Sequence, residues 1–413
     1  MKKWVSLVAL VVVVAALAAP AGAEAKSSFA LAGEARALEI ALGDQGLTLG
    51  FALSRADSGP SAVGVAAGQC AVLGQEADPD ELPCNEETTQ KTTLEEPGEA
   101  GDQLCAGPAI PAPLDSVLTV DIACGESFSG LTRGVPFTRN AGKVAEAALE
   151  FDLSGLLPQA QDAKKQVVDA LQEVLDQAPD EIENALDQLL DSIDVGQAAQ
   201  IIAGPATSDI SAKGGKLTVS STAAGARIGV VGIPSLDKEG LPIPGSSQAT
   251  EDGLIIVEVG ASNATATVNK FSATADADAL AAIVTVKVRD ITKAKPTYIE
   301  QSVAPGQTVT VLEGTPAEST ITAAAATTEV NGRSAAAAAD AVRLHLLKGV
   351  EGGLVIGLGR ATAAANIATV QAARKRPPTE VLPVTGGTDM TGLVLALMLA
   401  AGGALALRRR VRG

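Results

Sequence analysis

The chain has 413 residues, which is enough for one large domain or two of ordinary size. Its 48 acidic and 31 basic residues give a net charge of −17, which argues against nucleic acids and anionic membrane surfaces as partners. Aromatic residues make up only 2% of the chain, and this disfavours the ring-lined sites that bind most carbohydrates and single-stranded nucleic acids.

Residues 1–23 are predicted to be a secretory signal peptide. Lysines at positions 2 and 3 precede an uncharged apolar run, 5–19, and small residues follow it. This order of a basic start, an apolar centre and a small-residue end is typical of exported proteins. We expect cleavage after Ala23. Cleavage after Ala25 is nearly as favourable, and an uncleaved N-terminal anchor is the alternative.

Residues 24–157 are predicted to form a β segment. Apolar and polar residues alternate through 35–56, and a turn at 43–46 divides this stretch into two strands. One face of each strand would then be apolar: Leu38, Ile40 and Leu42 on the first, and Leu47, Leu49 and Phe51 on the second.

All four cysteines lie in this segment: Cys70, Cys84, Cys105 and Cys124. No two of them have the Cys-x-x-Cys spacing of metal or redox sites, so two disulfides are expected in an exported chain. Three pairings are possible. We favour the nested one, which joins the first cysteine to the fourth and the second to the third, because the strands predicted at 61–74 and 116–125 could pair.

Residues 76–102, between these cysteines, hold ten acidic residues against one lysine, together with three prolines. This composition predicts an exposed acidic loop. A site for calcium or another cationic ligand is the alternative.

Residues 158–203 are predicted to form an inserted helical hairpin. The apolar residues change to helical spacing here, and Pro179, followed by acidic residues, divides the segment into two helices. The apolar stripes consist of Val167, Val168, Leu171, Val174 and Leu175, then Ile182, Leu186, Leu189, Leu190 and Ile193. We expect them to pack on the rest of the domain, and a dimer interface is the alternative.

Residues 204–370 are predicted to form a β region rich in alanine, threonine and valine. Alanines alternate with polar residues through 264–279, which fits either strands stacked closely on another layer or a weakly packed, solvated sheet. The stretch 340–363 resembles 35–56, and each is predicted to be a hairpin of the same design. If the two hairpins lie side by side, the body is one discontinuous β domain; two successive domains are the alternative.

The sequence predicts no enzyme, no cofactor and no metal site. The single histidine, His345, lies on a predicted strand and is expected to face solvent or a loop. No nucleophile, phosphate-binding, zinc-protease or dinucleotide motif is present in the chain. An exported hydrolase remains a lesser alternative, because a carboxylate pair cannot be recognised without geometry.

Residues 371–413 are predicted to hold a linker, a membrane span and a cytoplasmic tail. Residues 371–381 form a short basic linker stiffened by proline. Residues 390–407 are uncharged and about as long as the shortest helix that crosses a bilayer. Four arginines within 408–413 would keep that end in the cytoplasm, so the body would lie outside the cell.

The pentapeptide before the span resembles the LPxTG sorting signal of Gram-positive surface proteins: Leu382, Pro383, Val384, Thr385 and Gly386. The resemblance implies that a membrane sortase attacks the bond between Thr385 and Gly386 with a cysteine thiolate and forms an acyl-enzyme. It also implies that an amine of a peptidoglycan precursor then links Thr385 to the cell wall. A single-pass membrane protein that keeps its C-terminal span is the alternative. The rest of the body resembles, in composition and strand style, the alanine-rich "choice-of-anchor" families, a resemblance that implies no particular activity.

The sequence therefore predicts a mainly antiparallel, sandwich-like β protein with an inserted helical hairpin. We expect a surface protein that is exported and anchored to peptidoglycan, and that acts as a non-enzymatic structural or interaction component of the envelope. An adhesin with an unknown surface ligand is the alternative.

Overall fold

A computed structural model of the chain describes residues 28–149, 199–232, 251–346 and 354–368, with short gaps inside the first and third of these ranges. The elements named within these residues are twenty-four strands and one 3-10 helix, Glu86–Thr88. The first twelve strands are β1 Ser28–Leu42, β2 Gln45–Asp57, β3 Ser61–Cys70, β4 Thr89–Thr93, β5 Leu104–Ala106, β6 Leu118–Val120, β7 Ala123–Thr132, β8 Val135–Val144, β9 Ala147–Leu149, β10 Ala199–Ala203, β11 Ala206–Lys213 and β12 Lys216–Ala223. The remaining strands are β13 Ala226–Gly232, β14 Gly253–Val259, β15 Ser262–Asn269, β16 Thr274–Leu280, β17 Val284–Arg289, β18 Tyr298–Val303, β19 Thr308–Val311, β20 Ser319–Thr322, β21 Ala326–Asn331, β22 Ser334–Ala339, β23 Val342–Leu346 and β24 Leu354–Ala368.

The strands form three antiparallel sheets, which confirms the predicted mainly β, sandwich-like class. Sheet A has ten strands in the order β19-β20-β23-β24-β1-β2-β3-β4, with β22 pairing to β24 and β21 pairing to β22. Sheet B runs β16-β15-β12-β11-β8-β7-β5, and sheet C runs β18-β17-β14-β13-β10-β9-β6. Both smaller sheets pack against sheet A, so their strands cover two halves of one long layer.

The strands of both layers are interrupted at the same level of the sandwich, which we call the corner. Six connections of the facing layer pass between sheet B and sheet C across gaps of two or three residues, at 121–122, 145–146, 204–205, 224–225, 260–261 and 281–283. In sheet A the pairing lapses at Ala37, which lies opposite Gly50 and Gly359. These glycines have φ values of 65° and 73°, a backbone region that side chains with a Cβ rarely adopt.

The two halves have different cores. Between sheets A and C, larger residues such as Leu38, Ile40, Ile201 and Ile228 are buried. Between sheets A and B the buried residues are mostly small, and a Cβ added at Gly142 would collide with the backbone of Phe51. The alternating alanines of β15 are fully buried and those of β16, at the edge, are partly buried, so the closely stacked interpretation of 264–279 is the correct one.

The first and last described strands are neighbours. β1 pairs with β24 from Ser28↔Ala368 to Leu42↔Leu354, and β23 pairs with β24. The two similar hairpins therefore lie side by side, as their sequence resemblance predicts, and the body is one discontinuous β domain. Its interruption at 150–198 begins and ends at register partners, since Leu149 lies opposite Ala199.

The two ends of the sandwich differ in how they connect strands. At the end that holds residues 28 and 368, here called the terminal end, tight turns join β2 to β3, β7 to β8, β11 to β12, β15 to β16 and β21 to β22. At the opposite end, here called the loop end, most connections are longer: 150–198, 233–252, 290–297, 312–318 and 347–353.

Two predicted segments require correction. The helical hairpin was expected to extend to residue 203, but Ala199–Ala203 is strand β10, because its apolar Ile201 fills the core beneath sheet C; residues 158–198 lie outside the described residues. The acidic stretch 76–102 was expected to be a loop throughout, but Thr89–Thr93 forms β4 at the edge of sheet A, where Thr92 is buried.

Candidate functional site

The predicted processing sites lie outside the described residues. These are Ala23, the sorting pentapeptide Leu382, Pro383, Val384, Thr385 and Gly386, and the apolar run 390–407. Within the described ranges, no helix is both long and apolar enough to cross a membrane. The structure contributes the position of the strand that precedes the sorting signal: β24 ends at Ala368, at the terminal end.

The four cysteines form two disulfides, as predicted, but not in the nested pairing that we favoured. Cys70 bonds to Cys84, and Cys105 bonds to Cys124. The nested pairing is wrong because the strands thought to pair belong to different layers: β3 lies in sheet A and β7 in sheet B. Each cysteine instead lies opposite a near neighbour in its own sheet, as the register pair Cys105↔Cys124 shows. Two disulfides fit an extracellular or otherwise oxidising environment.

A charged cluster, Glu34, Arg36 and Glu39, lies on the side of sheet A that faces away from sheets B and C. Arg36 is fully buried, and its Nε and Nη1 atoms each donate to a carboxylate oxygen, of Glu34 and Glu39 respectively, at 2.6 Å. Burial lowers the pKa of Arg36, but the two carboxylates together outweigh that effect and leave its pKa above the ordinary value. The guanidinium is therefore a permanent charge, and removing it would leave two carboxylates buried.

An apolar cluster lies beside this charged one on the same face. Phe51, Leu53, Val65 and Ala67 are all at most 3% exposed; together with the disulfide Cys70–Cys84 they form a cluster separate from the two cores between the sheets. The register places them in two rows with the charged residues, Arg36↔Phe51↔Ala67 and Glu34↔Leu53↔Val65. We call these six residues the outer face of sheet A.

A buried polar network joins sheets A and B. Asn140 donates from Nδ2 to the Ser54 hydroxyl at 2.6 Å and accepts at Oδ1 from the Ser127 hydroxyl at 2.6 Å. Ser54 in turn donates to the backbone carbonyl of Ser208 at 2.6 Å. These bonds satisfy polar groups inside a layer of small residues, so the network fixes how the two sheets stack.

The side of sheet C that faces solvent has a ladder of opposite charges. Lys287 contacts Glu258 at 2.9 Å and Glu300 at 3.4 Å, and Arg227 lies 3.7 Å from Glu258. The hydrogen bond to Glu258 is the main cause that raises the pKa of Lys287. Because these side chains are partly exposed, each pair contributes little to stability, at most about 1 kcal/mol.

The residues considered for catalysis do not come together. His345 is partly buried on β23, where it lies opposite Thr320 and Val355. Among the described residues, no group of three His, Cys, Asp or Glu side chains could hold a metal ion.

Sequence reasoning missed Glu34, Arg36, Glu39 and Asn140. The first three lie on the strand at positions between its apolar residues, and alternation identifies the apolar face without showing whether the opposite face is covered. A signal was nevertheless present, since three charged residues of both signs lie within six positions of one strand. Nothing in the sequence near Asn140 indicated that it would be buried.

Comparison with known proteins identifies no family for this chain. No family model matches it. No curated protein matches it either. Among solved structures, it is similar to the toluene transporter TodX of Pseudomonas putida, with 11% identity, a TM-score of 0.16, and 84% of this chain and 90% of that chain covered. It is also similar to a TodX deltaS2S3 mutant described as a monoaromatic hydrocarbon channel, with 10% identity, a TM-score of 0.15 and the same coverage. Such low TM-scores carry no argument about the fold or function of this chain.

Proposed function

We propose that this protein is an exported component of a Gram-positive cell envelope that a sortase links to peptidoglycan through Thr385. In its mature form it acts as a non-enzymatic structural or interaction protein at the cell surface. The order of signal peptide, sorting pentapeptide, apolar span and arginine tail along the sequence supports this proposal. The two disulfides support export, because such bonds persist in oxidising compartments.

The pairing of β24 is the observation that best supports a structural role. An anchor at Thr385 would transmit any pulling force to the end of β24, which lies in the interior of sheet A. β24 pairs with β1 along one side and with β22 and β23 along the other. A strand held on both sides can leave the sheet only by breaking hydrogen bonds on both sides, so this connection suits a protein held by its C-terminus.

Purified sortase tests the anchoring step directly. The full chain, supplied with a glycine-based amine acceptor, is expected to yield a product whose C-terminus is Thr385 joined to the acceptor. Pro383→Ala is expected to abolish the product, because proline constrains the backbone of the pentapeptide. Pro377→Ala, in the linker, is the matched control and is expected to react normally. Cleavage at another bond, or an undiminished reaction of Pro383→Ala, would contradict the proposal.

The adhesin alternative draws on the difference between the two ends of the sandwich. β24, the last described strand before the sorting signal, ends at the terminal end, and most of the longer connections lie at the opposite, loop end. Loops presented by a rigid scaffold commonly carry binding residues. The purified protein can be tested on an array of glycans and matrix proteins. Saturable binding to one component would favour the adhesin, and no binding to any component would favour the structural role.

A further inference from the structure

Two adjacent turns at the terminal end carry three lysines and an exposed phenylalanine. Lys213 and Lys216 flank the β11–β12 turn, and Lys270 and Phe271 lie in the β15–β16 turn. The two turns are neighbours, because Lys216 lies opposite Lys213 on one side and opposite Asn269 on the other. We call Lys213, Lys216, Lys270 and Phe271 the lysine tip.

Backbone hydrogen bonds hold the two turns of the lysine tip together. Gly214 and Gly215 have φ values of 59° and 82°, which a two-residue hairpin turn with two left-handed positions requires. The amide of Lys270 donates to the carbonyl of Gly215 at 3.1 Å. The side-chain Oδ1 of Asn269 accepts from the amide of Phe271 at 2.9 Å. The tip is therefore already ordered, so that binding a partner would cost little backbone entropy.

Phe271 is exposed in a chain that has only six phenylalanines. It is 78% exposed, the largest fraction among the exposed large apolar residues that the structure describes. Its ring lies over Gly215, where a Cβ would collide with it, and Lys270 Nζ lies 5.4 Å from the ring centroid. An exposed ring among several lysines is typical of a surface that inserts at a membrane interface, since the ring reaches the acyl chains while the lysines meet the headgroups.

The three lysines carry charge that the described fold leaves unpaired. Among the residues that the structure describes, none of the three forms an ion pair. Lys213 and Lys216 lie directly opposite each other, an arrangement of like charges that destabilises a sheet. An anionic partner would relieve this repulsion. The net charge of −17 disfavours an anionic surface for the chain as a whole, so the lysine tip is a local patch of the opposite sign.

Other charged residues near these turns leave the tip positive. Arg333, in the β21–β22 turn at the same end, adds a fourth exposed cation. Asp57, at the β2–β3 turn, accepts from the amide of Gly59 at 2.7 Å and is thus bonded within its own turn. Asp276, on β16, lies opposite Thr267 and not beside the lysines.

We infer that the lysine tip docks on the anionic phospholipid headgroups of the membrane that holds the predicted span. This inference rests on the span of the proposed function. β24 ends at Ala368, at the same end as the lysine tip, and residues 369–389 separate it from the span. Fully extended, this segment reaches at most about 75 Å, so the tip stays near the bilayer until the chain is cut.

Two considerations make a bilayer the partner. A tether raises the effective concentration to about the millimolar range, so three lysines and one ring suffice although each contributes weakly. An anionic polymer of the cell wall would also attract the lysines, but it would leave the ring of Phe271 in water. The exposed ring therefore favours lipid, and the polymer becomes an outcome of the test.

A tryptophan at position 271 tests the inference. Residues 24–413 include every described residue and no tryptophan, because the only one, Trp4, belongs to the predicted signal peptide. The Phe271→Trp variant of this protein is reconstituted through its span into vesicles of brominated phosphatidylcholine and phosphatidylglycerol in equal parts. We expect the bromine atoms to quench most of the tryptophan fluorescence. In vesicles of brominated phosphatidylcholine alone, the quenching should be lost.

A second reporter and two lysine variants serve as controls. Ile299→Trp, 68% exposed on β18 next to the connection 290–297 at the loop end, should stay unquenched in both kinds of vesicle. Adding Lys213→Gln/Lys216→Gln/Lys270→Gln to Phe271→Trp should lower the ratio of docked to free protein about a hundredfold and abolish the quenching. The matched variant changes the net charge equally at positions away from the tip and should keep the quenching: Lys91→Gln/Lys143→Gln/Lys287→Gln.

The inference would be overturned by a reporter at position 271 that is not quenched in the anionic vesicles, or by equal quenching at positions 271 and 299. Neither result needs the lysine variants to fold. An unquenched reporter whose emission responds to soluble poly(glycerol phosphate) would make a wall polymer the partner instead. Vesicle flotation reports separately whether the span inserts. A protein that does not float would remove the proposed anchor and this inference together, whereas a floating protein without quenching would remove the inference alone.

Discussion

At the scale of single residues, the charges of Glu34, Arg36 and Glu39 depend on one another for their burial. Arg36 has no exposed side-chain surface, and its two ion pairs measure 2.6 Å. Exchanging a buried ion pair for apolar residues is often tolerated, whereas removing one partner is costly because the other charge stays buried. Arg36 is therefore the residue at which a single substitution is expected to do most damage.

We expect Arg36→Met to lower the free energy of unfolding by about 3–5 kcal/mol, measured by chemical denaturation at neutral pH. Without the guanidinium, the two carboxylates would stay buried without the cation that they contact. The triple variant Arg36→Met/Glu34→Gln/Glu39→Gln should recover part of the loss, because it removes all three charges together. A single variant as stable as the parent would show that the cluster is not desolvated.

Close packing of sheets A and B also depends on single residues. A Cβ at Gly142 would meet backbone atoms of Phe51, which cannot move aside as a flexible side chain can. We expect Gly142→Ala to lower the unfolding free energy by roughly 1–3 kcal/mol. Gly260→Ala is the matched control, because its Cβ would have its nearest neighbours at 3.5 Å and its φ is not positive; its midpoint should match the parent. Equal midpoints for the two variants would argue against the close approach of these sheets.

At the scale of elements, alternation predicted individual strands well and their partners poorly. The hairpin at 35–56 is present as β1 and β2, since alternation and a glycine turn are local signals. The partners of β3 and β7 were wrong because the apolar alternation of a strand is the same whether its neighbour pairs with it at the edge or stacks on its face. The burial of Glu34 and Arg36 was missed because the pattern shows which residues face the core, not whether something covers the opposite face.

The disulfide pairing is the element-scale prediction. Proteolysis of the oxidised protein without reduction, followed by mass spectrometry, should yield linked peptides that contain Cys70 with Cys84 and Cys105 with Cys124. These pairs lie opposite each other in their own sheets. Peptides that join Cys70 to Cys124 would contradict these pairs and restore the nested arrangement.

At the scale of the whole molecule, two features describe the layout of the described strands: the corner at which they break, and the different connections at the two ends of the sandwich. Every strand that crosses between sheets B and C breaks at the corner, and sheet A has its left-handed glycines there. Residues 28 and 368 lie together at the terminal end, whereas most of the longer connections gather at the opposite one. The sequence repeat predicted that the ends would meet, but the corner has no sequence signal beyond scattered glycines and a proline.

The most direct test of the central claim is mass spectrometry of wall fragments from a Gram-positive host that expresses the full chain. After muramidase digestion, we expect the C-terminal peptide of the protein to end at Thr385 and to have a peptidoglycan stem peptide attached. The substitution Thr385→Ala should remove this species from the wall fraction. The account would be contradicted if the protein were found only in the membrane fraction and its chain continued through Gly386 into the arginine tail. The protein would then be a single-span membrane protein.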